Sequence, residues 1–157
     1  MLTITRIDES FSRWDELLAL IMHSFAYMDG VIDPPSSAHR LTAQSLEDKA
    51  KTEIGYVAID DEALIGCMFL RPEETTLYLG KLAISKGQQG KGLGRQFLAR
   101  AEETARTLSL PAIRLETRIE LTGNHLTFGR WGFVKTAENR HSGYDHSTSI
   151  EMQKAIG

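Results

Sequence analysis

Residues 82–105, LAISKGQQGKGLGRQFLARAEETA, join an apolar strand-like segment to a glycine-rich loop and then to a helix-like segment. Four of the eight residues at positions 87–94 are glycine. Apolar residues then recur three or four positions apart, which predicts an amphipathic helix. Its apolar stripe consists of Leu93, Phe97, Ala101, Ala105 and Leu108. The chain is therefore predicted to pass from a sheet, through a bare loop, into a helix packed on that sheet.

The start of this helix is suited to binding a phosphate. The first N–H groups of a helix lack intrahelical partners and carry a partial positive charge. Gly90, Gly92 and Gly94 have no side chains that would hold a ligand away from those groups. Lys91 and Arg95 add positive charge beside them. This combination favours a phosphate or pyrophosphate ligand, and a flexible turn without a ligand is the alternative.

Two known phosphate-binding motifs do not fit the loop. A P-loop requires GxxxxGK[ST], and no serine or threonine follows Lys91. A dinucleotide fingerprint requires GxGxxG or GxGxxA, and the last position is Arg95 or Phe97 here. Glu116 has the spacing of a ribose-binding acid, but antiparallel strands before the loop do not belong to that fold. Another kind of nucleotide binding stays a minor alternative.

The composition is typical of one soluble globular domain covering residues 1–157. The net charge of −3 gives no general footprint for nucleic acid. The apolar runs are too short for a bilayer and the first residues hold no signal core, so no membrane partner is expected. The single cysteine, Cys67, is predicted to be a core residue and fits a cytoplasmic location. The histidines lack metal-ligand spacing, so no metal is predicted.

Apolar periodicity predicts the element order β, α, α, β, β, β, α, β, α, β, β. A strand at 2–7 precedes a helix whose apolar positions run from Phe11 to Phe25. A second helix is predicted at 44–52, with capping-box spacing at Ser45 and Asp48. Three strands then form an antiparallel meander, and a crossing helix makes the next strand parallel to the last of them. The remaining elements are strands at 54–59, 63–71, 75–84, 112–117, 133–137 and 147–152 and a helix at 122–131.

The sequence QGKGLG at residues 89–94 resembles the [Q/R]xxGx[G/A] signature of the GNAT superfamily of acyl-CoA-dependent N-acyltransferases. LYLGKLAIS at 77–85 is similar to the fourth strand of that family, RLETR at 114–118 to the fifth, and WGF at 131–133 to the end of its second motif. The resemblance covers nearly the whole chain. It implies an α/β (α+β) GNAT fold, a mixed twisted sheet flanked by helices with splayed fourth and fifth strands.

The resemblance also implies how acetyl-CoA, the cosubstrate, would bind. The pyrophosphate would be held by backbone N–H groups of Gln89, Gly90, Lys91, Gly92, Leu93, Gly94 and Arg95. The pantetheine arm would pair with backbone groups of Leu82, Ala83 and Ile84, one of which would polarise the thioester carbonyl. Asn124 and Phe128 complete the implied cofactor-binding set.

The chain departs from the family pattern where the family often has a tyrosine that protonates the departing thiolate. That position is Phe128, and the family asparagine falls at Leu121, with Asn124 three residues away. A thiol has a pKa of about 8.5, so the thiolate can leave without full protonation. Tyr78 or Tyr144 could also supply a proton. The alternative is a non-catalytic acyl-CoA-binding sensor or interaction module.

An amine similar to lysine arrives protonated, so a base must take its proton. Glu116 is the first candidate, with an ordinary surface pair to Arg114 or Arg118 as the competing interpretation. His125 is the second. The acceptor side is predicted to include loop residues that together favour a cationic or polar amine, namely Asp29, Asp33, Asp145 and His146.

The sequence thus predicts direct attack of an amine, on a small molecule or peptide, on acetyl-CoA in a ternary complex without an acyl-enzyme. The resemblance allows a homodimer, which no sequence feature decides.

Overall fold

A seven-stranded mixed sheet carries four α-helices in the computed structural model, which describes residues 1–157. In chain order the elements are β1 Leu2–Arg6, α1 Trp14–Phe25, α2 Ala43–Thr52, β2 Ile54–Asp60, β3 Ala63–Pro72, β4 Leu77–Ile84, α3 Leu93–Thr107, β5 Ala112–Arg118, α4 Thr122–Arg130, β6 Val134–Asn139 and β7 Ser149–Ala155. Short 3-10 helices occur at Ala26–Met28, Ser37–Arg40 and Lys86–Gln88. The predicted element order is confirmed.

The strands lie in the order β1-β2-β3-β4-β5-β7-β6. The β4–β5 pair is parallel, as predicted, and every other neighbouring pair is antiparallel. The parallel pairing covers only Leu77 with Ile113 and Tyr78 with Arg114. Beyond these two pairs the strands splay apart, which confirms the predicted fold class and opens a cleft in the sheet.

A bulge in β4 accompanies the splay. The β3–β4 register shifts between Cys67 and Phe69. Opposite that shift, Lys81 adopts a φ of 50°, in the left-handed region that side-chain-bearing residues rarely occupy. Because an extra residue on one strand bends it and increases its twist, the bulge turns β4 away from β5 at the point where their pairing has ended.

Two hydrophobic cores lie on opposite faces of the sheet. On one face, α3 packs Phe97 and Ala101 against a core that includes Leu77 and Ile113. On the other face, α1 and α2 bury a second cluster, which includes Leu17, Ile21, Leu46, Val57 and Phe69. The cleft therefore opens in a sheet that is held rigidly on both sides.

Some element boundaries differ from those predicted. The capping box of α2 is formed by Thr42 and Ser45 and not by Ser45 and Asp48, because the Thr42 hydroxyl accepts from Ser45 N at 3.0 Å and the Ser45 hydroxyl from Thr42 N at 2.9 Å. The last strand begins at Ser149 and continues to Ala155, since its pairing with β5 extends that far. None of the helices combines the length and the apolar character needed to cross a membrane.

Arg114 fixes the closed end of the cleft through three carboxylates. Its guanidinium donates to Glu73 at 2.8 and 2.9 Å and to Glu151 at 3.2 Å, and Glu116 lies 3.8 Å away. Glu73 lies in the turn between β3 and β4, so the pair ties that turn to β5. The Arg114 guanidinium, aided by the Thr76 hydroxyl, lowers the pKa of Glu73 from 4.5 to about 2.

This pair predicts a loss of stability in acid. Because the pKa of Glu73 is lower in the folded protein, its stabilisation is present above about pH 4.5 and is lost as the pH falls towards 2. We expect Glu73→Gln to lower the free energy of unfolding by about 2 kcal/mol near pH 7, after allowing for screening of a partly exposed pair. The difference from the parent protein should shrink in urea unfolding experiments as the pH falls. Glu9→Gln, at an exposed carboxylate with no ion pair, is the control. A difference that is independent of pH would contradict the prediction.

Candidate functional site

The glycine-rich loop presents a row of unpaired backbone donors. Gly90 has a φ of 79° and Gly92 a φ of 84°, so both adopt the left-handed conformation that glycine reaches without strain. No backbone N–H from Gly90 to Arg95 donates a hydrogen bond within the protein. These groups lie at the N-terminus of α3, where the helix dipole adds partial positive charge. The arrangement suits the oxygens of a phosphate or pyrophosphate.

A cavity of about 940 Å³ opens in front of this loop, and we call it the larger cavity. It is lined by all but one of the residues predicted to bind the cofactor, namely Leu82, Ala83, Ile84, Gln89, Gly90, Gly92, Leu93, Gly94, Arg95, Asn124 and Phe128. Lys91 is the exception. It lies between the two left-handed glycines, is exposed, and does not line the cavity. Its backbone N–H is nonetheless one of the unpaired donors of the loop, so its role in holding the pyrophosphate stays a prediction.

The three residues predicted to pair with a pantetheine arm differ in what their backbone groups contact. Ser85 N donates to Ile65 O on β3, and the direction of backbone groups alternates along a strand, so those of Leu82 and Ile84 face the cleft. Ala83 is instead paired with Cys67 of β3 in the sheet, so its backbone groups face that strand, and its contact with the pantetheine arm stays a prediction.

The carbonyl of Ile84 accepts from Ser24 Oγ and from Gln89 Nε2, each at 3.2 Å. Leu82 lies beyond the last paired residues of β4 and β5 and lines the cleft at its centre. The Gln89 side chain, in the first position of the signature, holds the end of β4 in place.

Tyr27 lies opposite α4 and was not singled out by the sequence patterns. Its hydroxyl accepts a hydrogen bond from Asn124 Nδ2 at 3.1 Å. Phe128, at the position of the family tyrosine, packs edge-on against Trp131 with ring centroids 5.5 Å apart. The hydroxyl of Tyr27 therefore faces α4 across the cleft. Its only sequence signal was its position directly after the apolar stripe of the first helix.

A second cavity, of about 310 Å³, lies between the splayed strands, and we call it the smaller cavity. The two cavities are continuous, because five residues line both of them, namely Phe25, Tyr27, Leu82, Asn124 and Phe128. Its remaining wall carries most of the titratable groups of the cleft, namely Tyr78, Lys81, Glu116, Arg118 and His141. A ligand held at the glycine-rich loop could therefore meet a second ligand beside these groups.

Both predicted catalytic side chains line the smaller cavity. Glu116 Oε1 accepts from Asn139 Nδ2 at 2.9 Å, which fixes the orientation of the carboxylate. Its 3.8 Å separation from Arg114 also matches the competing interpretation of a strand ion pair, although Glu73 and Glu151 lie closer to that guanidinium. The ring of Tyr78 lies between Arg71 and Arg114, and burial raises the pKa of its hydroxyl, which therefore stays protonated.

The loop residues predicted to line the acceptor side do not reach either cavity. Asp29 contacts His39, and Asp145 contacts its neighbour His146. Asp33 accepts from the Tyr144 hydroxyl, so Tyr144 is also not a proton donor at the cleft. The alternative base His125 contacts the carbonyl of Arg118 at 2.9 Å and lies outside both cavities. The acidic loop side chains therefore contact other loop residues and not the cleft.

Cys67 is fully buried on β3, as the sequence predicts. Burial raises the pKa of its thiol to about 12. The thiolate is the nucleophilic form of cysteine, so this residue is not suited to carrying an acyl group.

The sheet has a splayed parallel pair, and the donor-rich loop is suited to a phosphate-bearing ligand next to a small polar cavity. The family model described as Acetyltransferase (GNAT) family matches residues 14–133. The chain belongs to this family, whose members are acyl-CoA N-acyltransferases.

Solved structures agree with this fold. An acetyltransferase of the GNAT family from Staphylococcus aureus Mu50 is 14% identical, with a TM-score of 0.77 and 100% of both chains covered. A GNAT family acetyltransferase from Elizabethkingia anophelis, solved with acetyl-CoA bound, is 18% identical, with a TM-score of 0.71 and coverage of 99% of this chain and 98% of that one. The ribosomal-protein-S18-alanine N-acetyltransferase of Escherichia coli is 14% identical, with a TM-score of 0.69 and coverage of 100% and 95%. No curated protein sequence matches this chain significantly.

Proposed function

We propose that the protein transfers an acetyl group from acetyl-CoA to the amine of a small molecule or peptide. The observation that carries the proposal is the row of unpaired N–H groups from Gly90 to Arg95, at the mouth of a cavity that continues into a second, polar one. The loop would hold the pyrophosphate of CoA, and the larger cavity would hold the pantetheine arm. The acceptor would enter the smaller cavity.

The acetyl thioester supplies the electrophile, which a neutral amine attacks directly to form the amide and release CoA as a thiolate. Glu116 would take the proton that the amine loses, directly or through water. The backbone N–H of Leu82 would donate to the thioester oxygen, where negative charge develops. The carboxylate of Glu116 is already held by Asn139 and needs no rearrangement to act.

We propose Tyr27 as the group that protonates the departing thiolate, in place of the predicted Tyr78. Its hydroxyl accepts from Asn124, which leaves its own hydrogen free to be donated, and it lies where the two cavities join. Tyr78 lines only the smaller cavity.

Tyr27→Phe is therefore expected to lower kcat about tenfold, less than a typical general acid contributes because a thiolate leaves readily. Tyr78→Phe should have the smaller effect on kcat in the same assay of CoA release. A larger loss in Tyr78→Phe would instead assign the role of proton donor to Tyr78.

The first test of the proposed function is calorimetric titration with acetyl-CoA, using CoA, NAD and ATP as comparisons. We expect acetyl-CoA and CoA to bind and the other two nucleotides not to bind. An assay of CoA release with a panel of amines follows. Absence of acetyl-CoA binding would refute the transferase proposal, and preferential binding of NAD or ATP would support a different nucleotide-binding function.

A non-catalytic acyl-CoA-binding module is the second candidate, because Phe128 stands where the family often has a tyrosine. Such a module would bind acetyl-CoA and show no amine-dependent CoA release with any acceptor. The position of Glu116 on the wall of the smaller cavity favours the enzyme.

Gly94 provides a structural test of the larger cavity. A Cβ atom at this position would lie 2.7 Å from Cη2 and 2.8 Å from Cζ2 of Trp131, which lines the cavity. Gly94→Ala should therefore displace the indole and lower acetyl-CoA affinity at least about tenfold, measured by the same titration.

Gly129→Ala, on the exposed face of α4, is the control for this variant. Its Cβ would meet no atom within 4 Å, so we expect unchanged affinity. Equal affinities of the two variants would show that the Gly94–Trp131 contact is not needed for binding.

A further inference from the structure

Two cations in the smaller cavity have no carboxylate partner. Lys81 and Arg118 both line it, and neither lies within 4.0 Å of an acidic side chain. Arg114, two residues before the cavity-lining Glu116 on β5, has three such partners. Charged groups that leave water are normally paired, so the two unpaired cations indicate a negative charge that arrives with a ligand.

The surroundings of Lys81 keep its ammonium group at the cavity. Its Nζ donates to the Ser37 hydroxyl at 3.0 Å, which is a neutral partner. The residue sits at the β4 bulge with a φ of 50°, so the strand adopts an uncommon backbone conformation at the position of this side chain. Burial, with a smaller contribution from Lys49, lowers the pKa of Lys81, and an arriving anion would offset that cost.

Arg118 is likewise held by neutral groups. Its Nη1 and Nη2 donate to the backbone carbonyls of Pro34 at 2.6 Å and Pro35 at 3.1 Å. A guanidinium has five N–H donors, so further donors remain for a ligand. The two carbonyl contacts fix the guanidinium beside the cavity without neutralising its charge.

His141 adds a neutral donor to the same wall. The Thr148 hydroxyl is buried, accepts from His141 N at 2.9 Å and lies 2.5 Å from His141 Nδ1. Because the hydroxyl hydrogen has no other acceptor, it is donated to Nδ1, and the ring hydrogen is then on Nε2. Burial lowers the pKa of His141, which keeps the ring neutral near neutral pH. His141 is therefore a hydrogen-bond donor here and not a base.

We propose that the acceptor is a small amine that also carries a carboxylate, such as a free amino acid. The carboxylate would bind between Lys81 and Arg118, and the amine would face Glu116. The inference rests on the proposed function. A cavity of about 310 Å³ lies at the lower end of the range for small-molecule sites, which fits a ligand of this size. The acidic loop residues favour a cationic or polar amine, and this proposal keeps the polar alternative and replaces the cationic one.

The test compares acceptors in matched pairs that differ only in the carboxylate. Methionine, phenylalanine and β-alanine are each assayed beside the corresponding primary amide, at equal concentrations of free amine and saturating acetyl-CoA. In at least one pair we expect kcat/KM of the acid to exceed that of the amide by about 30-fold or more. A difference of this size is typical when one partner of a partly buried charge pair is removed. Amides that react as fast as the acids in every pair would overturn the proposal. Short peptides with free C-termini are assayed in the same way. This comparison distinguishes a free amino acid from the C-terminal residue of a peptide as the source of the carboxylate.

Variants then assign the preference to the two cations. Lys81→Gln keeps a polar side chain that can contact Ser37 and removes the charge, and it should reduce the acid-to-amide ratio at least about tenfold, mainly through KM. Arg118→Gln should act in the same direction. Lys51→Gln, on an exposed part of α2 outside both cavities, is the matched control and should keep the parent ratio. An unchanged ratio in Lys81→Gln and Arg118→Gln would refute the assignment.

A binding measurement separates this proposal from the proposed function. In the presence of CoA, N-acetylated amino acids and their amides are titrated against the protein by calorimetry. If CoA binds and the acids bind more tightly than the amides, the carboxylate site is supported even where turnover is slow. If CoA binds and neither series binds, or the amides bind as tightly, the carboxylate proposal fails and the transferase proposal stands. If CoA does not bind, the proposed function fails first.

Discussion

Glu116→Gln is expected to lower kcat/KM about 100-fold near pH 6 and to approach the activity of the parent protein near pH 10. The reason is the protonation of the acceptor: at low pH most of the amine is protonated and a base must remove its proton, whereas at high pH the free amine is supplied by solution. Glutamine has nearly the shape of glutamate and can still accept from Asn139 Nδ2. The substitution therefore removes the base without removing the contact that orients it.

The pH dependence is what separates this role from a structural one. If Glu116 served only as a strand partner of Arg114, the loss would be similar at every pH, because the guanidinium keeps its charge throughout. Glu103→Gln, at an exposed carboxylate on α3 outside both cavities, is the control and should leave the profile unchanged. A profile of Glu116→Gln parallel to that of the parent would remove this residue from the proton transfer.

Phe97→Ala is expected to have the largest effect on stability, a loss of about 3–5 kcal/mol in the free energy of unfolding. The ring is fully buried in the core between α3 and the sheet. It packs directly on the backbone of β3, since a Cβ at Gly66 would lie 2.8 Å from Cε2 of Phe97. Because β3 is rigid at that contact, the structure cannot collapse fully into the space that the ring leaves. Urea unfolding of the two proteins measures the difference.

Leu126→Ala provides the matched control for this truncation. Its side chain lies on α4 and is 63% exposed, so we expect a change within about 0.5 kcal/mol. Saturating acetyl-CoA should raise the melting temperature of Phe97→Ala, because a ligand that binds only the folded state stabilises it by mass action. Comparable losses in Phe97→Ala and Leu126→Ala would show that the α3 core contributes less than its burial indicates.

The two cations and Glu116 suggest how the smaller cavity would orient an acceptor. Lys81 and Arg118 would bind its carboxylate, and Glu116, which is held by Asn139, would receive a proton from its amine. Binding at two points orients the nucleophile towards the thioester, and such positioning makes a large contribution to catalysis. The preference for an acid and the pH profile of Glu116→Gln therefore test two halves of one arrangement.

The glycine-rich loop could be predicted from the sequence because its properties are local. Left-handed backbone at Gly90 and Gly92, and free N–H groups at a helix start, follow from neighbouring residues. The element order could also be predicted, because apolar periodicity reports which face of each segment is buried. The acceptor side could not be predicted in this way. Asp29, Asp33 and Asp145 lie in loops, and their hydrogen-bond partners are distant in the chain or do not follow from residue spacing.

By itself, then, the sequence determined the family, the fold and the position of the donor-rich loop, because those depend on periodicity and on a contiguous motif. Only the tertiary structure brought Tyr27 to Asn124, which are separated by 97 positions along the chain. It also brought Lys81 and Arg118 into one cavity, since that depends on the β4 bulge and on the short parallel pairing of β4 with β5. Contacts of this kind are set by the packing of the whole sheet, and no local pattern of residues encodes them.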